Sequence, residues 1–261
     1  MDFSQCCAIV GSASFDAEHF LAERAAGRFA GVLAADGGFA HLERISVMPD
    51  VALGDFDSLG YVPDAPCVES HSVMKDATDL ELAFDWLCRK GYTSAVVYGA
   101  LGNRLDQTMA TQQTLIHFAR RGMEVAAVGE GNVIVALSSR QRKQESTLQQ
   151  LEIDRDSSKG SDALDSKHTF SSLSHQTHET YTLASLDIPA GVEGVISVCA
   201  MGGDAKGVTE QGLLYEMQNA ILPCDSSLGV SNEFTGRAAH IEVADGDVLV
   251  FMPAIALSLL T

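Results

Sequence analysis

Basic residues are scarce in this chain: 17 Lys and Arg stand against 35 Asp and Glu, a formal net charge of −18. So acidic a surface repels phosphate backbones and anionic lipid, which argues against a nucleic-acid partner and against electrostatic docking to a membrane. Long apolar runs are missing too. No uninterrupted stretch nears the roughly 20 residues of a membrane span, although 46% of residues are apolar, enough for a substantial core. No basic segment precedes the first apolar run of MDFSQCCAIVG, so the start reads as a first strand and not as a secretory leader. The six cysteines (Cys6, Cys7, Cys67, Cys88, Cys199, Cys224) lack CxxC spacing and a companion His cluster. That argues against a zinc site or a disulfide framework, and for reduced thiols in a cytoplasmic protein. GxGxxG is absent after the first strand, where GSASF stands instead, and this weakens a dinucleotide oxidoreductase.

The first half, residues 1–137, alternates strand and helix patterns. Strands are expected at Cys6–Val10, Val32–Ala35, Ala52–Leu53, Ala95–Tyr98, Val125–Val128 and Val133–Leu137, with helices over Phe15–Ala26, Thr78–Lys90 and Asp106–Arg121. The second helix carries its own boundaries: Thr78 and Glu81 form a T-x-x-E capping box, and Gly91 follows the last turn. Strands separated by single helices predict a largely parallel, helix-covered α/β sheet whose ligands collect beyond the carboxyl ends of the strands. Residues 138–180 are rich in Ser, Gln, Lys, Asp and His and read as a flexible insertion, with a short helix considered over Thr147–Ile153. His168, His175 and His178 within it invite a metal reading, which the composition does not favour. Residues 181–261 predict short strands at Tyr181–Leu186, Val195–Met201, Leu213–Met217, Ala239–Val243 and Val248–Met252, in an antiparallel sandwich or barrel. Asp245-Gly246 reads as the turn of a hairpin between the last two.

Four elements on the presumed ligand edge carry chemistry. Asp36-Gly37-Gly38 follows a strand, and paired glycines let backbone amides approach a ligand; a plain tight turn has the same pattern. Asp55 and Asp57 follow the run Val51–Leu53 in i, i+2 register, so along an extended segment both carboxylates face one point. Two hard oxygen ligands there suit Mg²⁺, as a solvated acidic turn would not require. Lys75-Asp76-Ala77-Thr78-Asp79 opens a helix, where the acids act as dipole partners or the amides receive phosphate beside Lys75. Gly99, Gly102, Arg104, Asp106 and Gln107 form a glycine loop presenting one guanidinium and one carboxylate at a helix start. A ligand with phosphates suits an acidic chain only where divalent cations bridge the two.

With these segments on successive strand ends, the chain resembles the thiamine pyrophosphokinase (thiamin diphosphokinase) family. The resemblance rests on ADGG at Ala35–Gly38, PDVALGDFDS at Pro49–Ser58, KDATDLELA at Lys75–Ala83, GALGNRLDQ at Gly99–Gln107, G-L-x-Y at Gly212–Tyr215 and GVSNEF at Gly229–Phe234. Asn103 and Gln107 depart from the family's common Gly and His. The resemblance implies an N-terminal, mostly parallel, Rossmann-like domain that holds ATP and a C-terminal antiparallel β-sandwich that helps bind thiamine. It also implies a homodimer with active sites between one subunit's α/β domain and the other's sandwich. By the same resemblance Asp55, Asp57 and Asp79 are magnesium ligands, Asp36, Asp76, Arg104 and Asp106 line the nucleotide and diphosphate region, and Ser231 and Asn232 lie near thiamine.

The reaction so implied is Mg²⁺-dependent transfer of a diphosphoryl group from ATP to the thiamine hydroxyl, releasing AMP. Positioning and charge neutralisation dominate such transfers. Lys75 and Arg104 are the cations for the leaving AMP, and Asp79 or Asp106 is the candidate proton acceptor. Two other classes fit parts of the pattern: a metal-dependent phosphohydrolase with Asp55 as nucleophile, and a non-catalytic nucleotide-binding module.

Overall fold

In the computed structural model, which describes residues 1, 3–57, 59–70, 77–102, 104–142 and 179–260, the apolar runs of the first half become parallel strands. Lys75, Asp76, Asn103, the short helix considered at 147–153 and the three insertion histidines lie outside the described residues. Strands β1 (Cys6–Val10), β2 (Gly31–Ala35), β3 (Val51–Gly54) and β5 (Ser94–Tyr98) are buried along their whole length. Continuous apolar strands of this kind need cover on both faces. With β4 (Val68–Ser70) and β6 (Glu124–Gly129) they form a parallel array in the order β4-β3-β2-β1-β5-β6.

Helices α1 (Ala17–Ala25), α2 (Gly38–Arg44), α3 (Asp79–Lys90) and α4 (Leu105–Ala119) provide the cover. Strand alternation sorts the packing: Ala8 and Val10 meet Phe20 and Leu42 on one face, while Cys7 and Ile9 meet Phe84 and Leu115 on the other. The start of α3 follows its local pattern: the Glu81 amide donates to Thr78 Oγ1 at 3.2 Å and the Thr78 amide to Glu81 Oε2 at 3.1 Å. Gly91, at φ 83°, ends it. Phe84 then stacks on Phe118 with centroids 4.6 Å apart, joining α3 to α4. The chain lays β2 to β4 on one side of β1 and resumes with β5 on the other, so the topological switch point falls between β1 and β5.

From β6 the chain turns through Glu130-Gly131, at φ 54° and 73°, into antiparallel β7 (Asn132–Ser138). The sheet does not stop there. Strands β16 (Asp247–Pro253), β11 (Val195–Ala200) and β14 (Asn232–Glu233) extend it to ten, with β7 and β16 in register from Ser138↔Asp247 to Asn132↔Pro253. A separate four-stranded antiparallel sheet comprises β10 (Ala184–Ile188), β15 (Ala239–Val243), β12 (Ala205–Gln211) and β13 (Met217–Leu222), in that order. It packs on the extension, and one apolar core runs from Phe20 and Leu42 through Val135 and Val250 to Ile188 and Ile241. The C-terminal sandwich is therefore present, and one of its layers is the N-terminal sheet prolonged. The limits expected at 137 and 181 are limits of sequence character, and the ten-stranded sheet takes strands from both sides of them.

One buried ionic group ties the two halves. Arg120 Nε and Nη2 donate to Asp247 Oδ2 at 3.0 and 2.5 Å, and Ser138 Oγ donates to Asp247 Oδ1 at 2.5 Å. This anchors the C-terminal end of α4 to β16 and β7. Beside it, β8 (Arg140–Arg142) pairs antiparallel with β9 (Glu179–Tyr181), so the two ends of the 143–178 segment leave from one place.

Several local readings change. Asp245-Gly246 is not a hairpin turn, because β15 pairs with β10 and β12 while β16 pairs with β7 and β11; the segment carries the chain between sheets. Leu213 makes only an isolated bridge to Phe234, and the strand expected there begins at Met217. Gly212, at φ 78°, turns the chain so tightly that a Cβ on it would lie 2.0 Å from the Ala238 carbonyl. Helix α2 and strands β4 and β12 were not anticipated. Gly207, Lys206 and Glu210 interrupt the apolar pattern of β12, and α2 is short and rests on packing against β1 and β2.

Candidate active site

The cavity, of about 570 Å³, opens at the switch point. Its floor is main chain. The Gly11 amide donates to the Tyr98 carbonyl at 2.8 Å and the Ala13 amide to the Gly99 carbonyl at 2.7 Å. A Cβ on Gly99, whose φ is 64°, would stand 2.3 Å from the Gly11 carbonyl, so the two strand ends meet only as glycines. Gly11, Ser12 and Ala13 line the cavity, and so do Ala110, Thr111 and Thr114 of α4. None of these was singled out from sequence, although a glycine directly after β1 is the trace they leave.

At the ends of β2 and β3 the carboxylates gather. Asp36 takes the left-handed conformation, φ 46°, with its amide donating to the Leu53 carbonyl at 2.8 Å. Gly54 lies so close that a Cβ there would be 3.0 Å from Asp36 Cα. The chain then turns at Phe56, also left-handed at φ 58°, with its ring buried in the core. A bulky residue in this region is costly and persists only where its surroundings enforce it. Asp55 and Asp57 thus converge around a tight turn beyond β3, not by alternation along an extended strand; the Asp57 amide donates to Asp55 Oδ1 at 3.3 Å.

Ligand oxygens of Asp36, Asp55 and Asp57 lie within 4.8 Å of one another, and among the described residues no other three acids, histidines or cysteines come so close. Two carboxylates 4.8 Å apart repel by about 0.9 kcal/mol even at the dielectric of water. A divalent cation turns that repulsion into attraction, and three hard oxygen donors match Mg²⁺. Asp79, expected in this group, stands instead on the wall of the cavity that Asp36 also lines.

Thr78 lines the cavity, with its hydroxyl engaged as the cap of α3. Gly99, Gly102, Arg104 and Gln107 line it as well. The loop before α4 is pinned: the Gly102 amide donates to Thr108 Oγ1 at 3.1 Å and Thr111 Oγ1 to the Ala100 carbonyl at 2.9 Å. The N-cap residue of α4, Arg104, places no side-chain bond on the helix, while the Asp106 carboxylate engages backbone amides of the first turn. Arg104 Nε and Nη2 grip the two oxygens of Asp106 at 3.2 and 2.5 Å, both groups exposed. That hydrogen-bonded pair holds the Asp106 carboxyl below the ordinary carboxylate range and raises the guanidinium. Gly37 is the residue before α2, and Gly38 serves packing: a Cβ on it would fall 1.8 Å from the Val10 carbonyl.

Ser231 and Asn232 lie elsewhere. Strand β14 is the edge of the ten-stranded sheet, five strand spacings from β5, or about 24 Å. Ser231 is left-handed at φ 62°, its amide donating to Ser197 Oγ at 3.0 Å. Asn232 is buried, and its carboxamide bonds Tyr215, Glu233 and Glu210. Leu214, Tyr215 and Val230 are exposed beside it. Glu210, buried in β12, is a group that sequence reasoning missed.

Comparisons agree along most of the chain. The thiamin pyrophosphokinase catalytic-domain model matches residues 28–127, and the family's vitamin B1 binding domain matches residues 185–248. A thiamine pyrophosphokinase of Bacillus subtilis is 29% identical over 105 residues, 38% of this chain and 49% of that protein. Thiamin pyrophosphokinase 1 of Caenorhabditis elegans is 33% identical over 96 residues, 34% of this chain and 40% of that one. The aligned stretch thus spans about half the length of these curated relatives, or less. In structure, thiamine pyrophosphokinase from Bacillus subtilis superposes with TM-score 0.68 at 18% identity, over 95% of this chain and 98% of the other. Thiamin pyrophosphokinase from Candida albicans gives 0.59 at 13% identity, over 97% and 90%.

Proposed function

This chain belongs to the thiamin pyrophosphokinase family, and we propose that it transfers a diphosphoryl group from ATP to the hydroxyethyl oxygen of thiamine, giving thiamine diphosphate and AMP. The observation that carries this reading is a carboxylate trio that shares Asp36 with a switch-point cavity also lined by Arg104 and Gln107 at the start of α4.

Asp36, Asp55 and Asp57 would hold Mg²⁺, and Asp79 on the cavity wall is the remaining carboxylate available to it. When bound, the ion neutralises phosphate charge and lets an acidic protein take an anionic substrate. The chain's own groups do the rest. The glycine floor lets phosphate oxygens approach the main chain, and the first amides of α4 point partial positive charge at them. Arg104 adds a planar fork for the same oxygens, steadied by Asp106. The thiamine oxygen attacks the β-phosphorus, forming one P–O bond as the bond to the α-phosphate oxygen breaks and AMP leaves, while the hydroxyl proton passes to a carboxylate, for which Asp79 on the cavity wall is the candidate. Asp106, engaged by Arg104 and held acidic, is a poor base for the hydroxyl proton.

Within one chain, about 24 Å of sheet separates the Ser231 face from the cavity, so a thiamine held at that face needs a second copy to meet the nucleotide. A homodimer meets this requirement. Six free thiols accord with a cytoplasmic setting, and no described helix is long and apolar enough to cross a membrane.

Incubation with ATP, Mg²⁺ and thiamine should yield AMP and thiamine diphosphate in equal amounts. ADP or inorganic phosphate as the product, or AMP formed at the same rate without thiamine, refutes the assignment.

A further inference from the structure

Glu210 has no exposed surface, and one of its oxygens, Oε1, has no hydrogen-bond partner among the described residues. Its other oxygen accepts from Asn232 Nδ2 at 3.1 Å. Burying a carboxyl without a counter-charge costs stability, and an apolar residue of similar volume would fill the position at less cost. Acids kept in such places tend to serve a site.

The site is legible in what Asn232 does. Asn232 is 4% exposed and uses its whole carboxamide. Oδ1 accepts from the Tyr215 and Glu233 amides at 3.0 and 2.9 Å, while Nδ2 donates to the Tyr215 carbonyl at 2.7 Å and to Glu210. A flipped carboxamide would set Nδ2 against two amide donors, so this orientation is enforced. Glu210 is the one side-chain partner in that set. Through it the Gly212–Glu216 turn is fastened to the segment whose neighbour Ser231 is left-handed, under the exposed Leu214, Tyr215 and Val230.

We propose that Glu210 is a positioning residue: by fixing Asn232 it holds the Tyr215 turn and the Ser231 turn in the arrangement that receives the cationic thiamine-class substrate. It sets affinity at this face and leaves the phosphate cavity untouched. The inference rests on the function proposed above for its ligand, though not for its geometry.

Ionisation supplies a second handle. Burial pushes the Glu210 carboxyl up to about 7, opposed only by the Asn232 hydrogen bond. Of the groups on packed elements, the Cys199 thiol of β11 feels its charge, raised by burial and then by Glu210, while the cross-strand neighbours Ile241 and Met217 are apolar. Ionised, Glu210 accepts more strongly from Asn232 and adds negative charge behind the cation's face, so thiamine affinity rises as pH climbs through about 7.

The test compares Glu210→Gln, which keeps an acceptor without ionising, with Glu210→Leu, which leaves Asn232 Nδ2 only its bond to the Tyr215 carbonyl and one buried N–H without an acceptor. Expected for Glu210→Leu is a KM for thiamine raised about tenfold or more, with KM for ATP unchanged and faster amide exchange in peptides covering 212–217 and 229–234. Expected for Glu210→Gln is a thiamine KM near that of the parent protein at acid pH, without the change around neutrality. Equal rises in both KM values, or parent-like exchange in Glu210→Leu, overturn the proposal. If the parent protein makes no AMP from ATP and thiamine, the functional reading fails, and amide exchange alone still decides whether Glu210 holds the two turns.

Discussion

Replacing Arg120 by Met should destabilise the fold by about 3–5 kcal/mol, because it strands Asp247 as an unpaired buried anion. The structure puts the value towards the lower end of that range. Asp247 is 1% exposed and loses two charged donors, but Ser138 Oγ still donates to it. Arg120 is itself 21% exposed, and Met retains much of its aliphatic packing. Equilibrium urea unfolding at neutral pH measures the loss. The paired variant Arg120→Met with Asp247→Leu removes both charges, and Ser138 keeps its second bond, to the Arg140 carbonyl at 3.2 Å. Its stability should return to within about 1 kcal/mol of the parent. A cost below about 1 kcal/mol for Arg120→Met, or a double variant as unstable as the two single losses summed, refutes the reasoning.

Asp57→Asn should cut diphosphoryl transfer at least about 100-fold while leaving the unfolding midpoint unchanged, since the residue is exposed; near-normal AMP release removes Asp57 from the metal group. Glu210 gives a pH dependence of known sign. Its carboxyl moves from 4.5 in the unfolded chain to about 7 in the fold, so the folded state binds the proton more tightly and stability falls as pH rises between those values. The loss totals about 3 kcal/mol, and Glu210→Gln should outlast the parent by about that much near pH 8 and by nothing near pH 4. A pH-independent difference in unfolding free energy would count against it. Deleting 144–175 should leave activity in place, because Arg142 and Glu179 are strand partners and a short linker can join them; loss of soluble protein shows otherwise. Mixing Asp57→Asn with Asn232→Leu should recover roughly a quarter of parental activity if sites are shared between two copies, as read from AMP release.

Local chemistry made much of this legible. The Thr78–Glu81 box and Gly91 bound α3 where they stand in the sequence, and unbroken apolar runs marked the parallel strands. What depended on distant neighbours was harder to see. Asp36 joins Asp55 and Asp57 because Gly54 lets β2 and β3 end against each other, a contact that no spacing along the chain encodes. Asp-Gly at 245–246 has the composition of a hairpin, but the strands on either side found better partners in different sheets. Glu210 shares a face with Val208, two residues before it; with the register shifts of β12 and Gly207 interrupting the pattern, that alternation did not stand out.

Because hydrogen-bonded strands run unbroken from β4 to β14, the described residues of this sheet offer no joint about which one half could swing over the other. A nucleotide in the cavity therefore meets a fixed floor, with the loop before α4 held by Thr108 and Thr111, and adjustment to it falls to side chains such as Arg104. Along that sheet the cavity between β1 and β5 and the Ser231 face at the β14 edge keep a fixed separation, so on the proposed function two copies would have to meet at matching points.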